Sequence, residues 1–176
     1  MVVLTDSAAR FQPPANFTDS TPLMSDVDYE KKSDGADVEN HIPREREQSL
    51  CPCKSRKTYA SCCLPFHQGK AKPETAEQLM RSRYSAYFFR LVDYLVETTH
   101  PDTREPGLRR SLEKVIHQAN WSYLTILGVA QGGKDDKRGK VEFVADYYVD
   151  AEPYELHEIS RFKRFKGAWK YLDGKA

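Results

Sequence analysis

All four cysteines of the chain lie in one short segment, and this clustering constrains the fold more than any other feature of the sequence. The segment reads CPCKSRKTYASCC over residues 51–63, so a Cys-x-Cys pair is followed after eight residues by Cys-Cys. Four thiolates in two close pairs can surround one tetrahedral Zn²⁺, whereas a disulfide between adjacent cysteines strains the peptide between them. The spacing predicts one structural zinc ion, with four free or oxidised thiols as the alternative. The ligands are Cys51, Cys53, Cys62 and Cys63.

The loop between the two cysteine pairs is basic. Four thiolates around Zn²⁺ leave a net charge of −2, which Lys54, Arg56 and Lys57 would offset. If the sulfurs point inward to the metal, these three side chains point outward and form a compact positive patch. We therefore predict a docking surface on this loop, with simple compensation of the thiolate charge as the alternative.

The segment that precedes the cysteines has the composition of a disordered chain. Residues 1–47 are rich in Pro, Ser and Asp and show no sustained hydrophobic periodicity. Residues 1–50 contain ten acidic and five basic side chains, for a net charge of −5, and residues 51–176 have a net charge of +6. The basic residues 51–176 can bind an anionic partner or the acidic N-terminal segment of the same chain. The alternative is that these charges simply form a solvated surface.

Three helices are predicted after the cysteines. Thr75 is an expected N-cap, and Gln78 completes a capping box before hydrophobic residues that recur at helical spacing. The stretch from Asp93 predicts a second, short helix that ends before Pro101. The stretch GLRRSLEKVIHQA predicts a third over residues 107–119.

From Trp121 onward the hydrophobic residues recur at every second position instead of at helical spacing. The stretches WSYLTILGVAQ, KVEFVADYYV, YELHEISRFKRF and AWKYLDG read as strands, and Gly-rich or charged turns separate them. Three helices followed by a four-stranded antiparallel meander predict an α+β fold. No apolar run reaches the roughly 18 residues of a membrane span, and the start of the chain lacks the features of a secretory signal, so we expect a cytoplasmic protein.

The cysteine segment resembles the SEC-C motif, a zinc-binding segment found at the C-terminus of the SecA ATPase and in other proteins. The stretch CCLPFHQGKAKPETAEQLMRSRYSAYFFRLVDYLVETTHP resembles the bacterial YchJ-like family, as do VEFVADY, LHEISRF and WKYLDG. The resemblance covers roughly residues 50–174. It implies a SEC-C zinc motif over 48–70 and a nuclear-transport-factor-2-like domain over 71–176, in which a curved sheet wraps around helices to form a cone with a pocket.

The chain departs from the family pattern in the zinc loop. The family usually has Gly-Ser-Gly after the second cysteine, whereas this chain has Lys54-Ser55-Arg56. Replacing two glycines restricts the backbone φ angles that this loop can adopt.

The implied cone contains candidates for a polar pocket but no recognisable catalytic constellation. The candidates are Arg81, Arg83, Tyr84, His100, Glu158 and Arg161. Glu158 lies on a mostly apolar strand face, so we expect it to pair with Arg81 or Arg83 of the first predicted helix. His67 closely follows the cysteines, and we consider it as an alternative or supporting metal ligand or as a surface residue.

Two functions from different classes are consistent with the sequence. The first is a zinc-containing module that docks on a protein or on the ribosome. The second is a small-molecule-binding protein, or an enzyme of the hydrolase or isomerase type, that uses the cone pocket with zinc as a structural clip. An open cavity with two or more unpaired polar groups would favour the second function, and a cone filled by its own aromatic side chains would favour the first.

Overall fold

The helices precede the strands along the chain. The structure, a computed structural model, describes residues 42–175, so most of the predicted acidic extension over 1–47 lies outside the described residues. A 3₁₀ turn spans Pro101–Thr103 between the fourth and fifth helices. The helices are α1 (Arg44–Gln48), α2 (Leu64–His67), α3 (Ala76–Phe88), α4 (Val92–Glu97) and α5 (Leu108–Gln118).

The strands form one antiparallel sheet in the order in which they occur in the chain. They are β1 (Asn120–Gln131), β2 (Arg138–Val149), β3 (Glu152–Phe165) and β4 (Ala168–Lys175). Two register shifts interrupt the pairing of β1 with β2, and one interrupts the pairing of β3 with β4. The predicted α+β plan of helices followed by a four-stranded meander is confirmed.

Alternation along the strands separates a core face from a solvent face. In β2 the side chains of Val141, Phe143 and Ala145 are buried, and in β3 the inward positions include Glu158 and Phe162. Phe143 pairs directly with Glu158 across the sheet. Because side chains alternate between the two faces of a strand, this register places the Glu158 carboxylate among the apolar core residues.

Helix α3 begins at the predicted cap. The Thr75 side chain accepts a hydrogen bond from the backbone N–H of Gln78 at 3.1 Å. The return bond of the predicted capping box is displaced by one residue, because the Gln78 side chain accepts from the N–H of Glu74 at 2.7 Å instead of from Thr75. Trp169 of β4 donates its indole N–H to the Glu74 carbonyl at 2.8 Å, which attaches the start of α3 to the sheet.

The first turn of α3 also packs against two glycines at the β1–β2 connection. The N–H of Ala76 donates to the Gly132 carbonyl at 2.8 Å. A Cβ atom on Gly139 would lie 2.5 Å from the Gly132 Cα and 3.0 Å from the Ala76 Cβ. The absence of side chains at these two positions therefore allows the helix to approach the sheet this closely.

Three hydrophobic clusters surround α3. The largest lies between α3 and the sheet, where Met80 and Tyr84 pack with Trp121 and Phe143. A second cluster joins α3 to α4 and α5, and the third lies inside the cysteine segment. Helix α1 runs across the predicted boundary between residues 47 and 48, and the N–H of Ala60 donates to the carbonyl of Glu47 at 2.8 Å.

The close approach at Gly139 gives a stability prediction. We expect Gly139→Ala to lower the free energy of unfolding by about 1–3 kcal/mol, because the added methyl group meets backbone atoms that cannot move independently. Gly133→Ala is the matched control, since a Cβ there meets only the Asp136 carboxylate at an ordinary 3.5 Å. Denaturant unfolding of both variants measures the difference, and equal stabilities would contradict this account of the contact.

Candidate functional site

The four cysteine sulfurs converge in a small knuckle in front of α3, which we define as residues 50–67. An isolated bridge pairs Leu50 with Thr58 and closes the loop that carries the first cysteine pair, and the second pair leads directly into α2. The four Sγ atoms all lie within 4.8 Å of one another, and no disulfide joins them. This arrangement could hold one metal ion. The four residues are Cys51, Cys53, Cys62 and Cys63, of which only Cys62 is partly exposed.

The sulfurs do not ionise independently. Hydrogen bonding among the thiols, first with Cys51, lowers the pKa of Cys62 to about 7. A hydrogen bond with Cys51 also lowers the pKa of Cys53, while the same contact raises the pKa of Cys51. Contact with Cys51 and burial raise the pKa of Cys63 as well. Without a metal, protons therefore remain on part of the cluster, and a bound cation must displace them.

Two serines place hydroxyl groups beside the sulfurs. The Ser55 hydroxyl lies 3.1 Å from the Cys62 sulfur. The hydroxyl of Ser85, which is buried on α3, lies 3.5 Å from the sulfurs of both Cys51 and Cys63. Hydroxyl donors at these positions would stabilise thiolates, and Ser85 links the cluster to the helix behind it.

Arg81 joins the knuckle to α3, so the structure does not place it in the cone. Its Nη1 donates to the carbonyl of Cys53 at 2.7 Å, and its Nε donates to the Glu77 carboxylate at 2.8 Å. The side chain points away from the sheet because both partners lie on the knuckle side of the helix. Arg81 therefore supports the cysteine loop by holding the backbone next to one of the sulfurs.

His67 is neither a metal ligand nor a surface residue. Its Nε2 donates to the carbonyl of Ser82 at 2.9 Å, and its Nδ1 accepts from the hydroxyl of Tyr59 at 2.6 Å. Burial lowers the pKa of His67 to about 4, so the ring is neutral at pH 7. The Nε2 bond attaches the knuckle to α3, and the Nδ1 bond to Tyr59 holds the ring within the knuckle. The sequence indicated only that His67 lies near the cysteines, which does not reveal partners that are distant in the chain.

The basic side chains of the cysteine loop are exposed on a strained backbone. Lys54 and Arg56 have φ angles of 59° and 64°, in the left-handed region that favours glycine. The Lys54 Nζ lies 4.4 Å from the centre of the Tyr123 ring on β1, in a cation–π contact. Arg56 and Lys57 have no ion-pair partner within residues 42–175.

A cavity of about 40 Å³ lies between α3 and the core face of the sheet. Three of the six predicted pocket residues, Arg83, Tyr84 and Glu158, are brought together in its wall. Aromatic side chains supply much of the remaining lining, including Tyr87, Trp121 and Tyr171. The cone is thus largely filled by its own aromatic groups, but a small polar space remains within it.

The other predicted pocket residues lie elsewhere. His100 is buried, its ring packs against the edge of Phe165, and its Nδ1 accepts from the backbone N–H of Asp102 at 3.2 Å. Arg161 projects from the solvent face of β3 and forms a bidentate ion pair with Asp173 of β4. Together with Arg81 in the knuckle, these two side chains lie outside the cavity lining.

The expected ion pair between Glu158 and an arginine of α3 does not form among the described residues. Arg83 instead uses Nη1 to donate to the Leu95 carbonyl at 2.9 Å and the Thr98 hydroxyl at 2.7 Å, and its guanidinium stacks on the Tyr171 ring. Glu158 accepts a short hydrogen bond from Ser160, two residues along the same strand face. The Arg83 guanidinium and the Glu158 carboxylate each bond to other groups, so the two side chains line one cavity without direct contact.

Comparison with known proteins identifies a family model and relatives that match most of the chain. The family model described as "YchJ, middle NTF2-like domain" matches residues 75–174. A UPF0225 protein of Geobacter sulfurreducens is 38% identical over 126 residues, which cover 72% of this chain and 78% of the relative. A UPF0225 protein of Vibrio parahaemolyticus is 41% identical over 126 residues, with coverage of 72% and 74%.

Two solved structures resemble the chain over nearly three quarters of its length. A SEC-C motif containing protein from Rhodopseudomonas palustris, solved in solution, is 34% identical with a TM-score of 0.66, and the match covers 73% of this chain and 98% of the other. A crystal structure of a SEC-C motif containing protein from Psychrobacter arcticus is 26% identical with a TM-score of 0.63, with coverage of 73% and 83%. In the described part of the chain, no helix has the length and hydropathy needed to cross a bilayer.

The half-buried His67 gives a pH-dependence prediction. Its pKa is about 4 in the folded chain and near 6.5 when unfolded, so the unfolded state binds the extra proton first as the pH falls. We expect this residue to lower the free energy of unfolding by about 2 kcal/mol between pH 7.5 and pH 5, on top of other titrations. Denaturant unfolding of the wild type and of His67→Gln across this range isolates the effect, because only the variant lacks the titrating ring.

The same prediction has an independent spectroscopic check. NMR titration of the imidazole signals should show His67 unprotonated down to about pH 4 in the folded protein. A midpoint near 6.5 for His67, or identical pH slopes for the two proteins, would contradict the assigned hydrogen bonds.

Proposed function

The chain belongs to the YchJ-like UPF0225 family. On that premise we propose that its SEC-C knuckle binds one structural zinc ion and docks on an anionic macromolecular partner. In this proposal the cysteines bind one structural zinc ion, and the basic loop between them makes the contact. The knuckle corresponds to the proposed SEC-C unit over 48–70, and the NTF2-like domain over 71–176 serves as its rigid support.

The cysteine geometry supports zinc as the bound metal. A tetrahedral ion with Zn–S bonds near 2.3 Å places its sulfurs about 3.8 Å apart. The Cys53 and Cys62 sulfurs are separated by 3.5 Å, and those of Cys62 and Cys63 by 3.7 Å. Four thiolates leave no open coordination position, which is typical of structural zinc sites. The two solved SEC-C proteins support the same assignment through their shared motif.

A metal would supply stability that the small core of the knuckle lacks. Apart from the cysteines, its buried hydrophobic residues are Tyr59 and Leu64, with Ile42 and Phe89 packed at its edge. A cluster of this size buries little apolar surface, so the ligand bonds would contribute directly to its folding. The zinc would thereby fix the conformation of the loop that carries the basic residues.

The backbone of that loop is the observation that carries the docking proposal. Lys54 and Arg56 occupy left-handed conformations that cost a side-chain-bearing residue roughly 1–2 kcal/mol each and that glycine adopts without strain. The family usually has glycines at these two positions. Cations at strained positions indicate that the side chains themselves are needed.

The charges of the loop identify the chemistry of the partner. Compensation of the −2 charge on a zinc–thiolate cluster would need two cations. Arg81 contacts the knuckle through the Cys53 carbonyl, and Lys54, which belongs to the knuckle, directs its ammonium to the Tyr123 ring of β1. Arg56 and Lys57 project from the knuckle with no ion-pair partner in the described chain. Two adjacent free cations fit closely spaced phosphates, so ribosomal RNA is the partner that we would test first, followed by an acidic protein.

The zinc assignment predicts both a stoichiometry and a proton release. Protein purified under reducing conditions without chelator should contain one zinc ion per chain by mass spectrometry. Loading of the metal-free protein at pH 7 should release between two and three protons, because the Cys51 and Cys63 thiols hold theirs without metal and Cys62 is about half protonated. Cys53→Ser should lose the metal and Ser61→Ala should retain it, while a stoichiometry near zero in the wild type would contradict the assignment.

The docking proposal predicts that removing the basic charges of the loop weakens ribosome binding even when the loop keeps its fold and its zinc. Replacing Lys54, Arg56 and Lys57 together by Ser should weaken co-sedimentation with ribosomes about tenfold or more at low salt, with zinc retained. Wild-type binding should fall steeply as salt rises. The control for general loss of charge is Arg110→Ser with Lys114→Ser, which removes two exposed cations from α5, as many as the glycine variant described next.

A glycine variant separates docking from folding. Lys54→Gly with Arg56→Gly removes two charges and relieves both left-handed strains, so it should be more stable than wild type by about 1 kcal/mol or more and yet bind ribosomes less well. Unchanged sedimentation of this variant and of the Ser variant would show that the cations only balance the thiolates. Loss of binding to acidic proteins, with ribosome binding intact, would redirect the proposal to a protein partner.

A further inference from the structure

Unpaired polar atoms concentrate on the cavity between α3 and the sheet. Within residues 42–175, four buried side-chain nitrogen or oxygen atoms lack a hydrogen-bond partner. Three of them, the indole nitrogen of Trp121 and the hydroxyls of Tyr84 and Tyr171, belong to residues that line this one cavity. Native proteins rarely leave such groups unpaired, so their convergence on one space points to a missing partner.

Arg83 adds further donors to the same wall. Its direct hydrogen bonds all leave from Nη1, toward Leu95 and the threonines that follow α4. A guanidinium has five N–H donors, and none of these bonds uses Nε or Nη2, so Arg83 retains donors for a polar group in the cavity that it lines. The stacking of the guanidinium on Tyr171, with 4.5 Å between its carbon and the ring centre, fixes its orientation.

Glu158 supplies the acceptor of the site and is held in a defined position. Ser160 donates to one of its carboxylate oxygens, and a Cβ atom on Gly174 of β4 would lie 2.2 Å from the carboxyl carbon. Glycine at position 174 therefore leaves the space that this carboxylate occupies. Both Glu158 and Arg83 are more than nine-tenths buried, at 7% and 5% exposure.

The chemistry of the wall determines the class of ligand. Arg83 and Glu158 carry opposite charges, so a buried ligand should be neutral. The unpaired indole N–H of Trp121 requires an acceptor oxygen, to which Arg83 can also donate, whereas the Glu158 carboxylate can accept a further hydrogen bond. A primary amide presents both, with a carbonyl oxygen at one end and an NH₂ group beside it. We propose that this cavity binds the carboxamide group of a small neutral molecule.

The size of the cavity sets the size of the group that enters it. Its volume is about 40 Å³, and one buried water needs roughly 10–15 Å³. A group of about three or four heavy atoms fits, and so does a cluster of about three waters. Tyr87 and Leu156 are the most exposed of the lining residues, so the cavity lies nearest to solvent beside them.

Acetamide and acetate provide an isosteric pair of probes. The two tryptophans of the chain give separate indole N–H signals in NMR, and Trp169 serves as an internal reference because its N–H already donates to the Glu74 carbonyl. We expect acetamide to shift the Trp121 signal saturably and to leave the Trp169 signal unchanged. Acetate at the same concentration and pH 7 should produce little shift of Trp121.

Two variants test the roles of the wall residues. Tyr84→Phe removes one unpaired hydroxyl, so it should weaken acetamide binding about fivefold without loss of thermal stability. Glu158→Gln leaves Arg83 as the only charged group in the wall and should shift the preference from acetamide to acetate. If Glu158→Gln fails to fold, Tyr171→Phe provides the same hydroxyl test as Tyr84→Phe from the β4 side of the cavity.

Three outcomes would overturn the proposal. No movement of the Trp121 signal up to high acetamide concentration would show that the cavity holds ordered water only. Equal shifts with acetate and acetamide in the wild type would show that the site does not select a neutral group. Equal movement of the Trp121 and Trp169 signals would indicate a general solvent effect. None of these results bears on zinc or on ribosome binding, which depend on the knuckle.

Discussion

The hydrogen bonds that attach the cysteine knuckle to helix α3 are the contacts on which the rest of the structure depends. The Ser82 carbonyl accepts from His67, the Ser85 hydroxyl reaches two sulfurs, and Arg81 holds the carbonyl of Cys53. The opposite side of the same helix packs Tyr84 into the core of the sheet. Both parts of the molecule thus share one helix, and a displacement of that helix would disturb the two together.

This double role explains why α3 contains buried polar residues. Ser82, Arg83 and Ser85 are all at most 5% exposed, although a helix on a single hydrophobic core would show polar side chains to water. The two serine hydroxyls have partners, such as the Leu79 carbonyl for Ser82 and the cysteine sulfurs for Ser85, and Arg83 donates through Nη1 to the Leu95 carbonyl. The regular apolar spacing in the sequence therefore indicates only the half of the helix that faces the sheet.

Hydrophobic periodicity and turn residues predicted the limits of the strands well, because both signals depend on residues that are close together in the sequence. The strands begin and end close to the predicted limits, and the alternation in β2 correctly assigns Val141 and Phe143 to the core. The directions of long side chains could not be predicted in this way. Arg81 and Glu158 each had several polar partners within reach, and only the assembled fold determines which one is nearest.

The knuckle shows how a strained loop can persist. Left-handed backbone at Lys54 and Arg56 is tolerated because the surrounding contacts leave the loop no alternative: the N–H of Cys51 donates to the carbonyl of Lys57, and that of Lys54 to the carbonyl of Cys51. A bound metal would tighten this restraint by joining both ends of the loop through sulfur. A loop held in this way loses little conformational entropy when a partner binds, so even two free cations on it can contribute usefully to affinity.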